Sequence, residues 1–239
     1  MTGLRTRLSD LLRVETLETS APAWRASDAL LDLGQGLYGE TVLITAEGPR
    51  AVARIAAGDR LMTFDHGFQP VSHVERLAFA RIPVEIPESM WPLRIPVGLF
   101  GNAQDRFVAP DQNILIESDL AEMEFGDPFV LIPARVLAAL PQVERVKPSP
   151  ERVIHRLRFE RPELVVTDGG AVLLCDTGSI FDHWEAPDQD RDDGTPLGYS
   201  TLPYHEAADL MRREIAHDGG INAHLAKNLS RMQVYRRAG

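Results

Sequence analysis

Lysine, cysteine and long apolar runs are all scarce in this 239-residue chain, and each scarcity argues against a class of function. Lysine occurs only at Lys147 and Lys227, and 35 acidic residues outnumber 25 basic ones, giving a formal net charge of −10. Because phosphate neutralisation needs clustered basic side chains, we expect no nucleic acid partner. No run approaches the ~20 apolar residues of a membrane-spanning helix, so we expect no direct membrane insertion.

The single cysteine, Cys175, excludes an intramolecular disulfide and a thiolate zinc site. It lies in the strand-like run Val172–Asp176, which favours a buried structural thiol over a reactive one. No phosphate-binding glycine loop, dinucleotide fingerprint or nucleophile elbow occurs, and we predict no cofactor and no metal. The lack of an apolar secretion signal predicts a cytoplasmic protein, and export by a route that leaves the N-terminus uncut stays open.

Hydrophobic patterning predicts a mainly β chain with short helical extensions. From Thr41 to about Thr177 the segments are short, rich in Val, Ile, Leu and Phe, and separated by turn signals. Many short strands at regular spacing are typical of an all-β domain that closes on itself or folds as a sandwich. Residues 1–35 predict a helical N-terminal extension. Its leucines at helical spacing are Leu4, Leu8, Leu11 and Leu12.

Three further segments depart from this β pattern. Prolines at four positions between 83 and 96 predict an edge or a long loop there rather than a central strand. Residues 181–200 are rich in aspartate and are interpreted as an acidic linker. Residues 201–239 predict C-terminal helices, the first starting at Pro203 and ending at Gly219. Their apolar faces are candidate partner-binding surfaces, formed by Met211, Ile215, Leu225, Leu229 and Met232.

Five segments, in order along the chain, resemble the sequence blocks of one family. They are Glu40–Val71, Pro92–Gly101, Val108–Ile116, Val130–Leu137 and Val153–Arg161. Together they resemble a bacterial subfamily of the Hint domain, the fold shared by Hedgehog autoprocessing domains and inteins. The resemblance covers about Gly36 to Thr177. It implies a compact, pseudo-symmetric β domain over residues 36–180.

In active members of this family, an N-terminal cysteine attacks the preceding peptide carbonyl and a histidine assists the acyl shift. The resemblance aligns Gly36 with that cysteine and Gln112 with that histidine. Ala109 stands where the same block has a serine, and His155 matches a histidine of a later block. Glycine has no nucleophile and glutamine exchanges no proton near neutral pH. We therefore expect no catalytic residue at Gly36, Ala109 or Gln112. Of the aligned positions named here, His155 alone keeps the residue type of the active members, as a residual histidine.

These departures predict a catalytically degenerate Hint protein that acts as a structural or protein-binding module, for example as a subunit of a larger assembly. A protein partner is expected, and the sequence does not identify it. One alternative is self-processing with an unusual nucleophile, for which the candidates are Thr41, Cys175 and the Asp176-Thr177 step. Another is a hydrolase on the same fold, which would need a pocket that brings a histidine close to a carboxylate. Its candidates are His66, His73, His155 and Asp111.

Overall fold

Short strands assemble into two sheets in the computed structural model, which describes residues 33–82, 85–99, 102, 104–175 and 198–219. The predicted helical extension lies almost wholly outside the described residues, as do most of the acidic linker and the chain after residue 219. The described part is mainly β, and the predicted fold class is confirmed.

Strands outnumber helices among the described residues. The strands are β1 (Leu37–Tyr38), β2 (Val42–Thr45), β3 (Gly48–Ala51), β4 (Arg60–Thr63), β5 (Gly67–Pro70), β6 (His73–Ala78), β7 (Leu93–Ile95), β8 (Arg106–Val108), β9 (Asn113–Glu117), β10 (Phe129–Pro133), β11 (Glu144–Arg145), β12 (Val153–Arg158), β13 (Glu163–Val166), β14 (Val172–Cys175) and β15 (Ser200–Thr201). The α-helices are α1 (Asp119–Phe125) and α2 (Tyr204–His217). Short 3-10 helices span Val52–Arg54, Phe79–Arg81, Glu88–Met90 and Ala134–Ala139.

The two sheets face a shared hydrophobic core. The first sheet has the strand order β11-β7-β8-β1-β12-β6. The second has the order β15-β10-β9-β14-β13-β4-β2-β3, with β5 paired to β4. Leu37 and Leu93 of the first sheet belong to one core cluster with Leu43, Ile114 and Leu173 of the second. Burial of this apolar surface is the main force that holds the sheets together.

The proline-rich stretch contains a strand that the sequence did not predict. β7 pairs with β8 on one side and with β11 on the other, so Leu93–Ile95 is neither a loop nor a sheet edge. The prediction was wrong here because Pro92 and Pro96 flank the three residues without interrupting them. Their backbone N–H groups therefore stay available to both neighbouring strands.

Helix α1 was missed by the sequence analysis, although local signals mark both of its ends. The side chain of Ser118 accepts a hydrogen bond from the Ala121 N–H at 2.9 Å, which caps the helix N-terminus. Gly126 ends the helix with a left-handed φ of +79°. The helix is only seven residues long and has no extended apolar face, so hydrophobic periodicity did not reveal it.

Helix α2 packs on the β domain, and its predicted limits near Pro203 and Gly219 are confirmed. Leu210 and Met211 lie in the main core cluster, and Ile215 packs against it. This part of the candidate partner-binding face therefore contacts the core of the same chain, and its partner role stays a prediction. Leu225, Leu229 and Met232 lie outside the described residues. Neither described helix has the length and hydrophobicity needed to cross a bilayer.

Candidate functional site

Residue 36 is held at the start of β1, in the middle of the first sheet. Leu37 pairs with His155 of β12 and with Val108 of β8. The first strand therefore brings residue 36 to the neighbours that the family resemblance singles out. Ala109 directly follows β8, and Gln112 lies in the turn before β9. Pairing of β1 with both strands fixes this arrangement through backbone hydrogen bonds.

Gly36 occupies a position that admits no side chain in this arrangement. Its φ of +119° is a conformation that residues with a Cβ atom rarely adopt. A Cβ atom added there would lie 2.4 Å from Cγ2 of Ile154 and 3.1 Å from the carbonyl oxygen of His155. A nucleophilic side chain at residue 36 would therefore require both a backbone change and movement of Ile154.

The side chain of Gln112 contacts the backbone nitrogen of Gly36. Gln112 is 2% exposed, and its Oε1 accepts a hydrogen bond from the Gly36 N–H at 3.0 Å. Its Nε2 donates to the carbonyl oxygens of Asn113, at 3.1 Å, and Leu174, at 2.7 Å. An amide oxygen only accepts hydrogen bonds. Gln112 therefore holds the amide of residue 36 in place but supplies it with no proton.

A polar contact and a close approach connect the segment around Gly34 to the turn that carries Ala109. Ala109 is fully buried and packs in a small apolar cluster. The Asp111 N–H donates to the carbonyl of Gly34 at 2.7 Å. The Asp111 carboxylate forms an ion pair with Arg135. A Cβ atom on Gly34 would lie 2.4 Å from Asp111 Oδ2, so a side chain at this position would displace the Asp111 carboxylate.

His155 is buried beside this site. It is 4% exposed, and its Nδ1 has no hydrogen-bond partner. Burial, reinforced by the nearby charge of Arg76, lowers the pKa of His155 below its usual value, so the ring is neutral at pH 7. Its Cε1 lies 3.3 Å from where a Cβ atom of Gly39 would stand. His73, another histidine of the hydrolase alternative, is exposed on β6.

Cys175, one of the alternative nucleophiles, borders the site. It is 6% exposed and, together with Gly36 and Gln112, lines a pocket of about 50 Å³. Its interpretation as a buried thiol agrees with this exposure. Thr41 is 7% exposed and lines a different pocket, which also borders Gly36. The Asp176-Thr177 step lies outside the described residues.

A histidine–carboxylate pair exists elsewhere, with a partner that sequence reasoning missed. His66 Nδ1 lies 2.8 Å from Oε2 of Glu163, whose side chain is only 2% exposed. Arg161 Nε donates to the other oxygen of this carboxylate at 3.1 Å. No local signal reveals a pair that is 97 residues apart in sequence. Asp111, the carboxylate named for the hydrolase alternative, pairs with Arg135 instead.

Potential metal ligands are not clustered in the part of the chain that the structure describes. No group of three or more His, Cys, Asp and Glu side chains lies close enough there to hold a metal ion. The pair of His66 and Glu163 alone is too few ligands for a structural metal site.

A family comparison identifies the class of this protein. The family model of the Hint domain matches residues 36–173, which is more than half of the chain. The chain therefore belongs to the Hint domain family, and the predicted family is confirmed. No curated protein sequence matches the chain significantly.

Solved structures similar to this chain include inteins and an intein-like domain. A splice-inactive variant of the AceL NrdHF class 3 split intein is 14% identical, with a TM-score of 0.34, and the match covers 60% of this chain and 99% of that one. The bacterial intein-like domain from Clostridium thermocellum is 13% identical, with a TM-score of 0.36, covering 58% and 96%. The MchDnaB-1 intein is 13% identical, with a TM-score of 0.31, covering 57% and 98%.

Proposed function

We propose that this Hint domain is catalytically degenerate and acts as a structural or protein-binding module, in which residues 1–35 stay joined to the β domain. The observation that carries the proposal is that residue 36 is a glycine with no space around it for a side chain. Gly36 has no nucleophilic atom, and the space that a side chain would need is occupied by the Cγ2 methyl of Ile154. A residue with a side chain at this position would require a changed backbone conformation and a displaced Ile154.

Among the described residues, the side chain that contacts the Gly36 nitrogen is an acceptor and not the proton donor that peptide cleavage requires. An acyl shift breaks the bond between the Gln35 carbonyl carbon and the Gly36 nitrogen, and that nitrogen must gain a proton as it leaves. The group that faces it is the Oε1 atom of Gln112, a hydrogen-bond acceptor. Two independent requirements of the reaction, the attacking atom and the proton donor, are therefore unmet at the aligned positions.

The surroundings of the site support a structural role. The side chain of Gln112, in the turn before β9, hydrogen-bonds to two other parts of the chain. It contacts the amide of Gly36, just before β1, and the carbonyl of Leu174 in β14. In the proposed function these contacts fix the N-terminal segment to the domain, so that the chain serves as one continuous unit. Helix α2 belongs to the same folded body, because Leu210 lies fully buried in the main core.

Intact mass spectrometry of the purified full chain tests the proposal. We expect one species of about 26.5 kDa, the mass of the uncut chain, before and after incubation with dithiothreitol or hydroxylamine, nucleophiles that release a thioester. A fragment that begins at Gly36, or a thiol adduct of residues 1–35, would contradict the proposal. A Gln112→His variant supplies a proton donor but no attacking atom, and we expect it to stay uncut as well.

The self-processing alternative has one specific observation in its favour, the pocket that Cys175 shares with Gly36. The same mass measurement on a Cys175→Ser variant separates the two proposals. Cleavage in the original chain that is lost in the serine variant would establish Cys175 as the nucleophile. Cleavage that persists in Cys175→Ser but is lost in Thr41→Val would assign it to Thr41.

A further inference from the structure

A second pocket borders Gly36 and lies between the two sheets. It has a volume of about 60 Å³. Its wall is formed by buried apolar side chains of β1, β7, β9 and β14, each at most 6% exposed. These side chains are Leu37, Ile95, Ile114 and Leu173. The interior of the pocket is therefore apolar, and it is built from strands of both sheets.

One positive and one negative side chain line the same pocket. Arg106 Nη2 donates a hydrogen bond to Asp168 Oδ2 at 3.1 Å. The Arg106 Nη1 atom also donates to the carbonyl oxygen of Glu40 at 3.2 Å, which helps to fix the guanidinium. The side chains of Arg106 and Asp168 are 17% and 27% exposed, so this end of the pocket reaches solvent. The pocket is therefore amphipathic, with an apolar interior and a charged pair at its mouth.

The volume limits the size of the apolar group that the pocket can accept. One water molecule needs about 10–15 Å³ of such volume, and a cavity of about 150 Å³ holds benzene. A pocket of about 60 Å³ therefore accepts about four non-hydrogen atoms. The side chains of valine, leucine and isoleucine match this limit, whereas an aromatic ring exceeds it.

The charged pair determines which polar groups the ligand should carry. A ligand with a single charge is attracted by one member of the pair and repelled by the other. A zwitterion avoids this conflict, because its carboxylate can contact Arg106 while its ammonium contacts Asp168. A guanidinium binds a carboxylate through parallel N–H donors, and an ammonium offers three donors to a carboxylate oxygen. An ammonium and a carboxylate on one carbon atom match a pair of opposite charges that already contact each other.

We propose that this pocket binds a free aliphatic α-amino acid, with its side chain between the sheets and its carboxylate and ammonium at Arg106 and Asp168. Leucine, isoleucine and valine are the members of this class that fit the volume. Such a ligand contacts both sheets and stabilises the folded domain by mass action. The inference goes beyond the proposed function and does not depend on whether the chain is cleaved.

Titration of the full chain with L-leucine, followed by methyl NMR, tests the proposal. We expect saturable shifts of the δ1-methyl signals of Ile95 and Ile114, which line the pocket. Isoamylamine and 4-methylpentanoate keep the branched chain of leucine but each lacks one charge, so they should bind at least about tenfold more weakly. L-Phenylalanine should shift neither signal, because its ring exceeds the volume. No shift with leucine, or equal affinities for leucine and the two analogues, would overturn the proposal.

An Asp168→Asn variant tests the role of the charged pair. It keeps the shape of the side chain but removes the charge that would contact the ammonium. Binding of leucine should weaken at least about fivefold, whereas binding of 4-methylpentanoate, which has no ammonium, should not weaken. A general disturbance of the fold would weaken both ligands alike, and that result would contradict the assignment of Asp168.

A pocket-filling variant and its matched control test the location of the site. Ala171 lines the pocket, so Ala171→Leu places a leucine side chain in the space and should abolish binding of free leucine. Ala57→Leu adds the same group at an exposed position and should leave the affinity unchanged. Leucine binding that persists in Ala171→Leu would place the ligand elsewhere and reject the proposal.

Discussion

Gly36 and Gly48 share a left-handed backbone conformation but differ in their surroundings. Their φ angles are +119° and +109°. A Cβ atom on Gly36 would collide with Ile154, whereas one on Gly48 would meet nothing within 4 Å. The two glycines therefore separate the cost of backbone strain from the cost of a steric clash.

We predict that Gly36→Ala lowers the free energy of unfolding by about 2–4 kcal/mol, since strain and overpacking add. Gly48→Ala, which introduces strain alone, should cost about 1 kcal/mol. Urea denaturation at pH 7 measures both. Adding Ile154→Ala removes the methyl that causes the clash, so the double variant should lose less than the sum of the two single losses. Equal losses at Gly36 and Gly48 would show that no clash exists.

The residue type at a single position is read directly from the sequence, whereas its contacts are not. The resemblance placed Gly36 and Gln112 at the aligned positions, and the lack of a nucleophile follows from the residue type alone. The hydrogen bond between them joins residues 76 positions apart. The clash with Ile154 depends on the register of β1 against β12. Tertiary packing sets both features, so the local sequence pattern does not contain them.

A buried carboxylate fixes helix α2 to helix α1. Glu214 is 5% exposed, and its Oε1 accepts hydrogen bonds from the Ser118 hydroxyl and, at 3.5 Å, from the Leu120 N–H. Ser118 in turn caps α1. One side chain of α2 therefore completes the N-terminus of the other helix, where a negative charge is favoured.

We predict that Glu214→Ala destabilises the protein by about 2 kcal/mol, because it leaves buried donors of α1 without an acceptor. Arg212→Ala in the same helix removes an exposed ion pair with Asp209 and should cost less than about 0.5 kcal/mol. Hydrogen exchange of residues 204–217 should accelerate in the first variant and stay unchanged in the second. Unchanged exchange in Glu214→Ala would mean that α2 is held by its apolar face alone.

Elements with a long periodic pattern were predicted better than short ones. The apolar face of α2 and the limits set by Pro203 and Gly219 were readable because the helix spans 14 residues. Strand β7 has three residues and takes its identity from β8 and β11, so its flanking prolines misled the prediction. Sequence patterns describe an element, but its pairing partners come from elsewhere in the chain.

The whole molecule carries a neutral buried histidine whose protonation opposes folding. The pKa of His155 is lowered by burial and by Arg76, with smaller opposing effects from backbone hydrogen bonds with Leu37 and Val153 and from Glu40. As the pH falls through the ordinary histidine value of about 6.5, the unfolded chain therefore takes up a proton before the folded chain does. Stability decreases in this range, by at most about 1.4 kcal/mol per pH unit for one site.

We predict that His155→Gln makes the free energy of unfolding less dependent on pH. The effect should fall between the ordinary histidine pKa and the lowered pKa of His155 in the folded state. Unfolding free energies from urea denaturation at several pH values between 7 and 5 provide the measurement. His217→Gln provides the matched substitution at an exposed position, because its imidazole is 60% exposed. An unaltered slope in His155→Gln would assign the pH dependence to other groups.

The methyl of Ile154 beside Gly36 has a consequence for evolution. Glycine codons of the form GGU and GGC become cysteine codons through one nucleotide change, so a cysteine at this position would ordinarily be easy to gain. Here the first step back would meet an occupied space and an unfavourable backbone, and the mutant would be counter-selected before any cleavage returned. Under the proposed function, a return to cleavage would therefore need an earlier, neutral change at residue 154, and the uncut state would be difficult to reverse.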